Sequence, residues 1–495
     1  MATVVEQSKP VTSGYQLPVS SENVGEIIRH IEAKHDLLQY EVDGWCVWPT
    51  LRFPVAMALM DLPFTKSKEP FRLRELMIIP ARDSLRLLFP RRSRYAVMTF
   101  SSGLMDQEGD RYRDVFFDDL LAELGSFFKI ETLNNKAFLA RSRSALFKSD
   151  VTTTAFELLS TLVIPRFRKP SEISSVSEKL SANLRSELGL ESFSAERISA
   201  MLGVFYWKKK LYSWLLGRIR PQYLFSADGF SDHPVIAAAK ERGIRVCEFQ
   251  HGGFMKGGPE YGWSPYALRY KSKMPLPNQI FLFGHYWREQ LEGGFWGEEL
   301  ITVGSMRMDR YRELKNKKLS GRTNRACNIV LTTQGIDTPK LIQFVSDFLR
   351  LVEGKREVNL TFKLHPVLES DKGIYEREFT DNKRVRVISG TEAPSTFELL
   401  VSADLHLSIS STSHYDALGL GVPTVILPLA NSGWVLQLHR AGHAFLARSP
   451  EELFDIVQHW HGQRVPDAVG SYYFQPGAVA NIRAALEGHI EVPGS

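Results

Sequence analysis

Apolar residues at Val24, Ile27, Ile28 and Ile31 recur at the spacing of one helical face and predict a helix there. A turn-rich aromatic segment, YEVDGWCVWPTLRF, follows. RYAVMTFS predicts a buried strand over Tyr95–Phe100, and FFDDLLAELGSFF a helix with Asp118 and Asp119 on a solvated face. From about Pro221 the rhythm becomes regular. QYLFSAD predicts a strand running into a loop, HPVIAAAKERG a helix closed by Gly243 after Lys240 and Arg242, IRVCEFQHGG a second strand and QIFLFG a third. Glu313 to Arg325 is densely charged without an apolar face, the pattern of a linker.

Beyond it the alternation is clean. CNIVLTT, NLTFKL, RVRVIS, DLHLSIS and PTVILP predict strands. Pro339 to about Glu353, APSTFELLVSA, TSHYDALGLG and PEELFDIVQHW predict helices. Strands alternating with short helices argue for an α/β fold with parallel sheets covered on both faces. The expected division is an N-terminal domain over 1–312, irregular up to about residue 90, a linker over 313–325, a C-terminal domain over 326–475, and a tail over 476–495 packing back on the N-terminal domain. Two such domains facing across a cleft would bind ligands at the carboxyl ends of their strands.

Composition narrows the function classes. Among 495 residues, 43% are hydrophobic and 24% charged, which excludes a disordered chain. Lys+Arg 61 against Asp+Glu 56 leaves +5, too thin a surplus for a nucleic-acid footprint. Cys46, Cys247 and Cys327 form no CxxC pair, which fits a reducing compartment. The start lacks the basic and apolar regions of a signal peptide, and no run reaches the ~20 apolar residues of a membrane span. A soluble, cytoplasmic protein is expected. Two basic stretches, Arg72 to Arg94 and Tyr206 to Arg220, suit peripheral contact with the anionic face of an inner membrane, an anionic saccharide, or simply helices with solvated cations.

Three constellations carry candidate chemistry. In SISSTSHYDALGLGVPTVIL a strand ends at Ile409, and Ser410, Ser411, Thr412 and Ser413 lead into a helix. Unpaired N–H groups and short hydroxyls there suit a phosphate or carboxylate, and Asp416 is placed to accept from ribose hydroxyls. TFKLHP sets Lys363, His365 and Pro366 at a second strand end, where an imidazole can donate to a phosphate. In SADGFSDHP…CEFQHGG, Asp228 and Asp232 stand after one strand, while Glu248, Gln250 and His251 end the next. Gly252 and Gly253 permit close approach of a substrate. A carboxylate there can act as nucleophile or base, and a histidine as acid, base or charge stabiliser. Asp232 is equally placed to cap the helix that opens at His233–Pro234. No HExxH, GxxxxGK[ST] or strand-following GxGxxG is present, which disfavours a catalytic metal, a P-loop and a hydride-transfer cofactor.

Taken together, AAKERGIRVCEFQHGG, the His-Pro after a strand and SISSTSHYDALGLGVPTVIL resemble the GT-B glycosyltransferases of bacterial surface-polysaccharide assembly. The nearest likeness is to the capsule and O-antigen β-Kdo transferases. VDGWCVWPTLR is similar to segments of polysaccharide-biosynthesis proteins. The resemblance implies two Rossmann-like domains and a CMP-activated ulosonic sugar as donor, with no cofactor or metal. It implies a saccharide or glycolipid acceptor, no nucleic-acid partner, and work alongside other polysaccharide-assembly enzymes. It assigns donor binding to His365, Ser410, Ser411, Thr412, Ser413 and Asp416, and a nucleophile's role to Asp228 or Asp232, with Gln250 and His251 lining the same cleft. Two alternatives remain: a CDP-polyol phosphotransferase with His251 as base, and a non-catalytic polysaccharide-assembly protein.

Overall fold

The computed structural model describes residues 19–20, 23–62, 87, 89–100, 105–132, 142–153, 170–227, 232–291, 293–319, 326–366, 368–369, 371–430 and 432–488. The chain folds as two compact units. The first holds the residues up to Leu282 with Trp287–Ile301, and the second holds Phe283–Tyr286 with the residues from Thr302 to Ile490.

The first unit opens with two helices, Val24–His35 and Trp48–Leu59, separated by a small hairpin of β1 (Glu41–Val42) and β2 (Trp45–Cys46). Its sheet contains β3 (Tyr95–Phe100), β6 (Phe128–Thr132), β7 (Val151–Thr152), β8 (Tyr223–Ser226), β9 (Arg245–Phe249), β10 (Gln279–Leu282) and β11 (Leu300–Thr302). A second hairpin, β4 (Met105–Glu108) with β5 (Arg111–Asp114), stands apart from it. The spatial order is β11-β10-β9-β8-β3-β6-β7, and β3 is parallel to both β6 and β8. The order thus reverses between β3 and β8. Strand cores are buried on both faces, as parallel sheets require: Ala96, Val97 and Met98 on β3, and Val246 and Cys247 on β9, are at most 1% exposed. Helix Ala195–Ile219 covers the sheet with Tyr212, Leu215, Leu216 and Ile219.

The second unit has β12 (Cys327–Thr332), β13 (Val358–Lys363), β14 (Val385–Ile388), β15 (Leu405–Ser408), β16 (Thr424–Ile426) and β17 (Phe445–Leu446), in the order β14-β13-β12-β15-β16-β17 with every ladder parallel. Here the order reverses between β12 and β15. Helix Thr338–Val352 buries Leu341, Phe344, Val345, Phe348 and Val352 at helical spacing against this sheet. The alternation of the sequence is therefore a doubly wound sheet. Two Rossmann-like domains make up the chain, the domain complement of a GT-B fold.

Four expectations change. Glu313–Leu319, expected in a linker, form the last turns of helix Met306–Leu319, which belongs to the second unit; its cations include Lys315, only 7% exposed. Residues 320–325 lie outside the described residues. Of the tail, helix Ala478–Glu487 belongs to the second unit, where Ala478 N–H donates to Asp309 (2.7 Å) and Asn481 Nδ2 to the Val303 carbonyl (2.9 Å), and residues 489–495 lie outside the described residues. The helix expected at Val24 to Ile31 forms as Val24–His35, but the region otherwise expected to be irregular also holds the helix Trp48–Leu59. Asp118 is wholly buried and paired with Lys129 (3.2 Å); burial lifts its carboxyl to about 6.

Of the basic stretches, most of Arg72 to Arg94 lies outside the described residues. Tyr206 to Ile219 is helical, with Lys209 and Lys210 both paired to Asp43 and Arg218 over the Trp214 ring. That is a packed helix. No helix among the described residues is long and apolar enough to cross a membrane.

Candidate functional site

In the second unit the hydroxyl run sits where strand order reverses. β15 ends at Ser408, whose Oγ donates to the Thr332 carbonyl of neighbouring β12 (2.7 Å). The chain then presents Ser410, Ser411, Thr412 and Ser413 at the carboxyl edge of the sheet, beside the loop that leaves β12. A reversal point leaves a crevice there, because the two connections depart to opposite faces.

Each side chain in that loop has its own surroundings. Trp434 Nε1–H donates to Ser410 Oγ (2.7 Å), and the Trp434 ring stacks on Tyr415 with centroids 5.8 Å apart. Ser411 Oγ donates to Ser413 Oγ (3.0 Å) and accepts from the Ser413 N–H (3.2 Å). Thr412 is exposed. Asp416 is half-buried one turn on. Burial pushes its carboxyl up to about 7, and the Arg307 charge offsets part of that cost. Beneath the loop lies a buried polar relay. His406 bonds Thr332 Oγ1 (3.0 Å) and Thr424 Oγ1 (2.8 Å), and His414 bonds the same Thr424 hydroxyl (2.6 Å). Both imidazoles are held neutral by burial.

The His-Pro turn follows β13. His365 Nδ1 accepts from the Leu368 N–H (3.0 Å), so the neutral ring carries its proton on Nε2, the form that can donate to an anion. Partial burial lowers the affinity of this ring for a second proton. Gly390 packs against the turn: a Cβ there would lie 2.3 Å from Pro366 Cα, so a side chain would displace the histidine. Glu369, which the sequence gave no reason to single out, ties this turn to the loop after β12. It accepts from the Thr333 hydroxyl, the Gly335 N–H (3.1 Å) and the Tyr375 hydroxyl (2.7 Å).

Lys363 has a different task from the one expected. The residue is 3% exposed, and its ammonium donates to the carbonyls of Ser389 (2.8 Å) and Glu392 (2.6 Å). It closes the loop after β14 and is not presented to a ligand.

In the first unit, Asp232 follows β8 at that sheet's own reversal point. It is 6% exposed and accepts from Ser226 Oγ (3.0 Å). It stands at the N-terminus of helix His233–Lys240, yet its side chain makes no capping bond. The capping role is therefore not what fixes it. Asp228 lies outside the described residues.

The residues after β9 divide by depth. Glu248 and Gln250, expected to line a cleft, are both fully buried. Glu248 accepts from the Tyr261 hydroxyl, and Gln250 Nε2 donates to the Gly252 carbonyl (2.7 Å), so the two brace the loop from behind. His251, Gly252 and Gly253 do face open space. With Phe254, Glu260 and Tyr261 they line a cavity of about 120 Å³. Asp232 is not among the described residues that line it. Sequence reasoning missed Glu260 and Tyr261, although the glycine density of HGGFMKGGPEYG signalled a tightly turned loop.

Two helices hold that loop. Arg52 donates to the carbonyls of Pro259 and Gly262 (2.9 Å to the latter), and Arg29 to those of Gly257 (2.7 Å) and Gly262 (3.3 Å). Arg52 is 1% exposed. Its charge is balanced by the fully buried Glu32 at 2.6 Å, which also accepts from Trp48 Nε1 (2.7 Å). Gly262 has no room for a side chain, since a Cβ would meet the Gly257 carbonyl carbon at 2.6 Å.

No protein-family model matches the chain, and no curated protein matches it. Among solved structures it is similar to a UDP-GlcNAc 2-epimerase from Neisseria meningitidis bound to UDP-GlcNAc, at 14% identity over 80% of this chain and 100% of that one, with a TM-score of 0.47. It is similar to MurG of Acinetobacter baumannii at 13% identity over 80% and 99% of the two chains, TM-score 0.44. CalG4, the calicheamicin glycosyltransferase, gives 13% identity over 80% and 98%, TM-score 0.41. The fold assignment stands on the strand orders above.

Proposed function

We propose that the protein is a glycosyltransferase that moves an ulosonic sugar of the Kdo kind from a CMP-activated donor to a saccharide acceptor in bacterial surface-polysaccharide synthesis. The observation that carries this reading is the coincidence of the hydroxyl run at Ser410–Ser413 with the strand-order reversal of the second unit. There a nucleotide phosphate would meet hydroxyls from Thr412 and Ser413, with the His365 Nε2–H at the adjacent turn. Asp416, where ionised, accepts from the ribose. A CMP donor leaves with one phosphate, whose charge hydroxyl and imidazole donors are able to stabilise.

In this reading the first unit handles the acceptor. Asp232 attacks the anomeric carbon as CMP departs with the bonding electron pair. The acceptor hydroxyl oxygen then bonds to that carbon as the aspartyl ester breaks, its proton passing to the phosphate of the departed CMP, and the carboxylate is regenerated. Asp232→Asn should abolish transfer from a CMP-ulosonate while leaving CMP binding unchanged, and retained transfer would discard Asp232 as nucleophile.

The deciding experiment is a thermal-shift series with CMP, CDP, UDP, GDP and ADP. A ligand that binds only the folded state raises the melting temperature by mass action. The reading expects CMP to stabilise most. A preference for CDP would move the assignment to polyol-phosphate transfer, and a preference for UDP would replace the donor. No response to any nucleotide would discard the enzyme.

A further inference from the structure

The cavity after β9 has a lining that differs in kind from the phosphate-suited edge of the second unit. Among the described residues, its ionisable groups are His251, Glu260 and Tyr261, and neither a lysine nor an arginine lines it. The rings of Phe254 and Tyr261 lie beside one another with centroids 4.6 Å apart. The Glu260 carboxyl accepts from its own backbone N–H, and no lysine or arginine pairs with it among the described residues. Burial raises it above the ordinary carboxyl range despite the nearby charge of Arg52.

The frame around Glu260 is rigid where a glycine-rich loop would otherwise be loose. Arg52 fixes the carbonyl of the preceding residue, Pro259, and Arg52 and Arg29 together fix that of Gly262. Tyr261 is anchored from below by Glu248. Three buried charged side chains, Glu32, Arg52 and Glu248, thus hold the wall in place. Such pre-organisation lowers the ordering cost of binding a ligand.

A carboxyl and an imidazole exchange hydrogen bonds with hydroxyls, and ring faces cover the C–H surface of a sugar. A ligand carboxylate would instead be desolvated with no lysine or arginine in the wall to pair with it, and would repel Glu260 wherever that group is ionised. We propose that this cavity seats one uncharged sugar ring of the acceptor, with Glu260 and His251 bonding its hydroxyls, and that it turns away sugars bearing a carboxylate. The assignment of the ligand as an acceptor rests on the transferase reading above. The cavity's preference for neutral over acidic sugars is specific to this chain's own residues.

The test applies the full-length protein to an array of bacterial saccharides ending in hexoses, N-acetylhexosamines or ulosonates. Glu260→Gln keeps the shape of the side chain and removes its charge, and Glu260→Ala removes the group. The wild type should bind saccharides ending in neutral sugars at least tenfold more tightly than those ending in ulosonates. Glu260→Ala should lose at least tenfold in that binding, and Glu260→Gln should narrow the discrimination, both with wild-type melting temperatures and wild-type stabilisation by CMP.

Preferential binding of ulosonate ends, unchanged binding by Glu260→Ala, or no saccharide binding by the wild type would each overturn the proposal. If CMP fails to stabilise the wild type while Glu260-dependent binding of neutral sugars persists, the donor reading falls and the sugar subsite stands.

Discussion

Asp416 shows a side chain kept at a cost. Its folded carboxyl titrates at about 7, against 3.8 for an ordinary aspartate. A folded pKa raised above the unfolded one contributes stability that is present below pH 3.8 and lost as pH rises through 7. Asp416→Asn should therefore be more stable than the wild type at pH 8, by about 2 kcal/mol given that the residue is only half-buried, and no more stable at pH 3.5. The same variant should bind CMP more weakly, since an amide is a poorer acceptor for ribose hydroxyls than a carboxylate. Melting curves at the two pH values with CMP titrations check both halves, and equal stability at pH 8 would remove the argument that function retains the acid. Single positions were unevenly legible in the sequence. Asp416 and the hydroxyls could be placed because a strand–loop–helix pattern fixes their edge of the sheet. The role of Lys363 could not, because its partners are carbonyls of Ser389 and Glu392, beyond the next strand.

Between elements, long-range contacts fall most clearly outside what periodicity can show. Helix spacing predicted Val24 to Ile31 as amphipathic, yet nothing local indicates that Glu32 is fully buried against Arg52 and that together they brace a loop more than two hundred residues away. The segment VDGWCVWPTLR, similar to segments of polysaccharide-biosynthesis proteins, contains Trp48 and Arg52, and its physical task in this fold is that brace. Removing one partner of a buried ion pair strands the other, at about 3–5 kcal/mol. Arg52→Met should therefore destabilise the protein by about that much and speed amide exchange over residues 257–262. Glu32→Gln combined with Arg52→Met should cost less than the sum of the two single changes. Additive losses with unchanged exchange would show that the pair does not hold the loop. The histidine relay under the hydroxyl run makes a second element-scale prediction. Burial holds His406 and His414 well below the ordinary 6.5. Their contribution is fully present above pH 6.5 and falls as acid protonates the unfolded chain first, by about 2 kcal/mol per histidine at pH 5. His406→Gln should flatten that slope between pH 6.5 and 5 in urea titrations, and an unaltered slope would remove His406 as its source.

At the scale of the whole chain, the alternation of strands and helices disclosed two parallel sheets, but their boundary followed rules that composition does not reveal. Charge density marked Glu313–Leu319 as a linker, although an exposed helix face is equally charged. Helix Ala478–Glu487 likewise closes on the unit it follows, through Asp309 and Val303. Each unit carries a hydrophobic core of its own, centred on Leu331, Phe362 and Leu407 in the second and on Met98, Ile130 and Leu224 in the first. Separate cores imply separable unfolding, so calorimetry should resolve two transitions. The donor reading places every nucleotide contact in the second unit, so CMP at one hundred times its Kd should raise only one of them, by about 2.7 kcal/mol. The histidine relay identifies that transition independently: it should be the one that falls more steeply between pH 6.5 and 5, because His406 and His414 together outweigh the raised carboxyl of Asp416 in the second unit, whereas in the first the raised carboxyl of Asp118 largely offsets the buried His233. If CMP instead raises the transition with the shallower pH dependence, the nucleotide binds the first unit, and the hydroxyl run at Ser410–Ser413 is a helix start and nothing more.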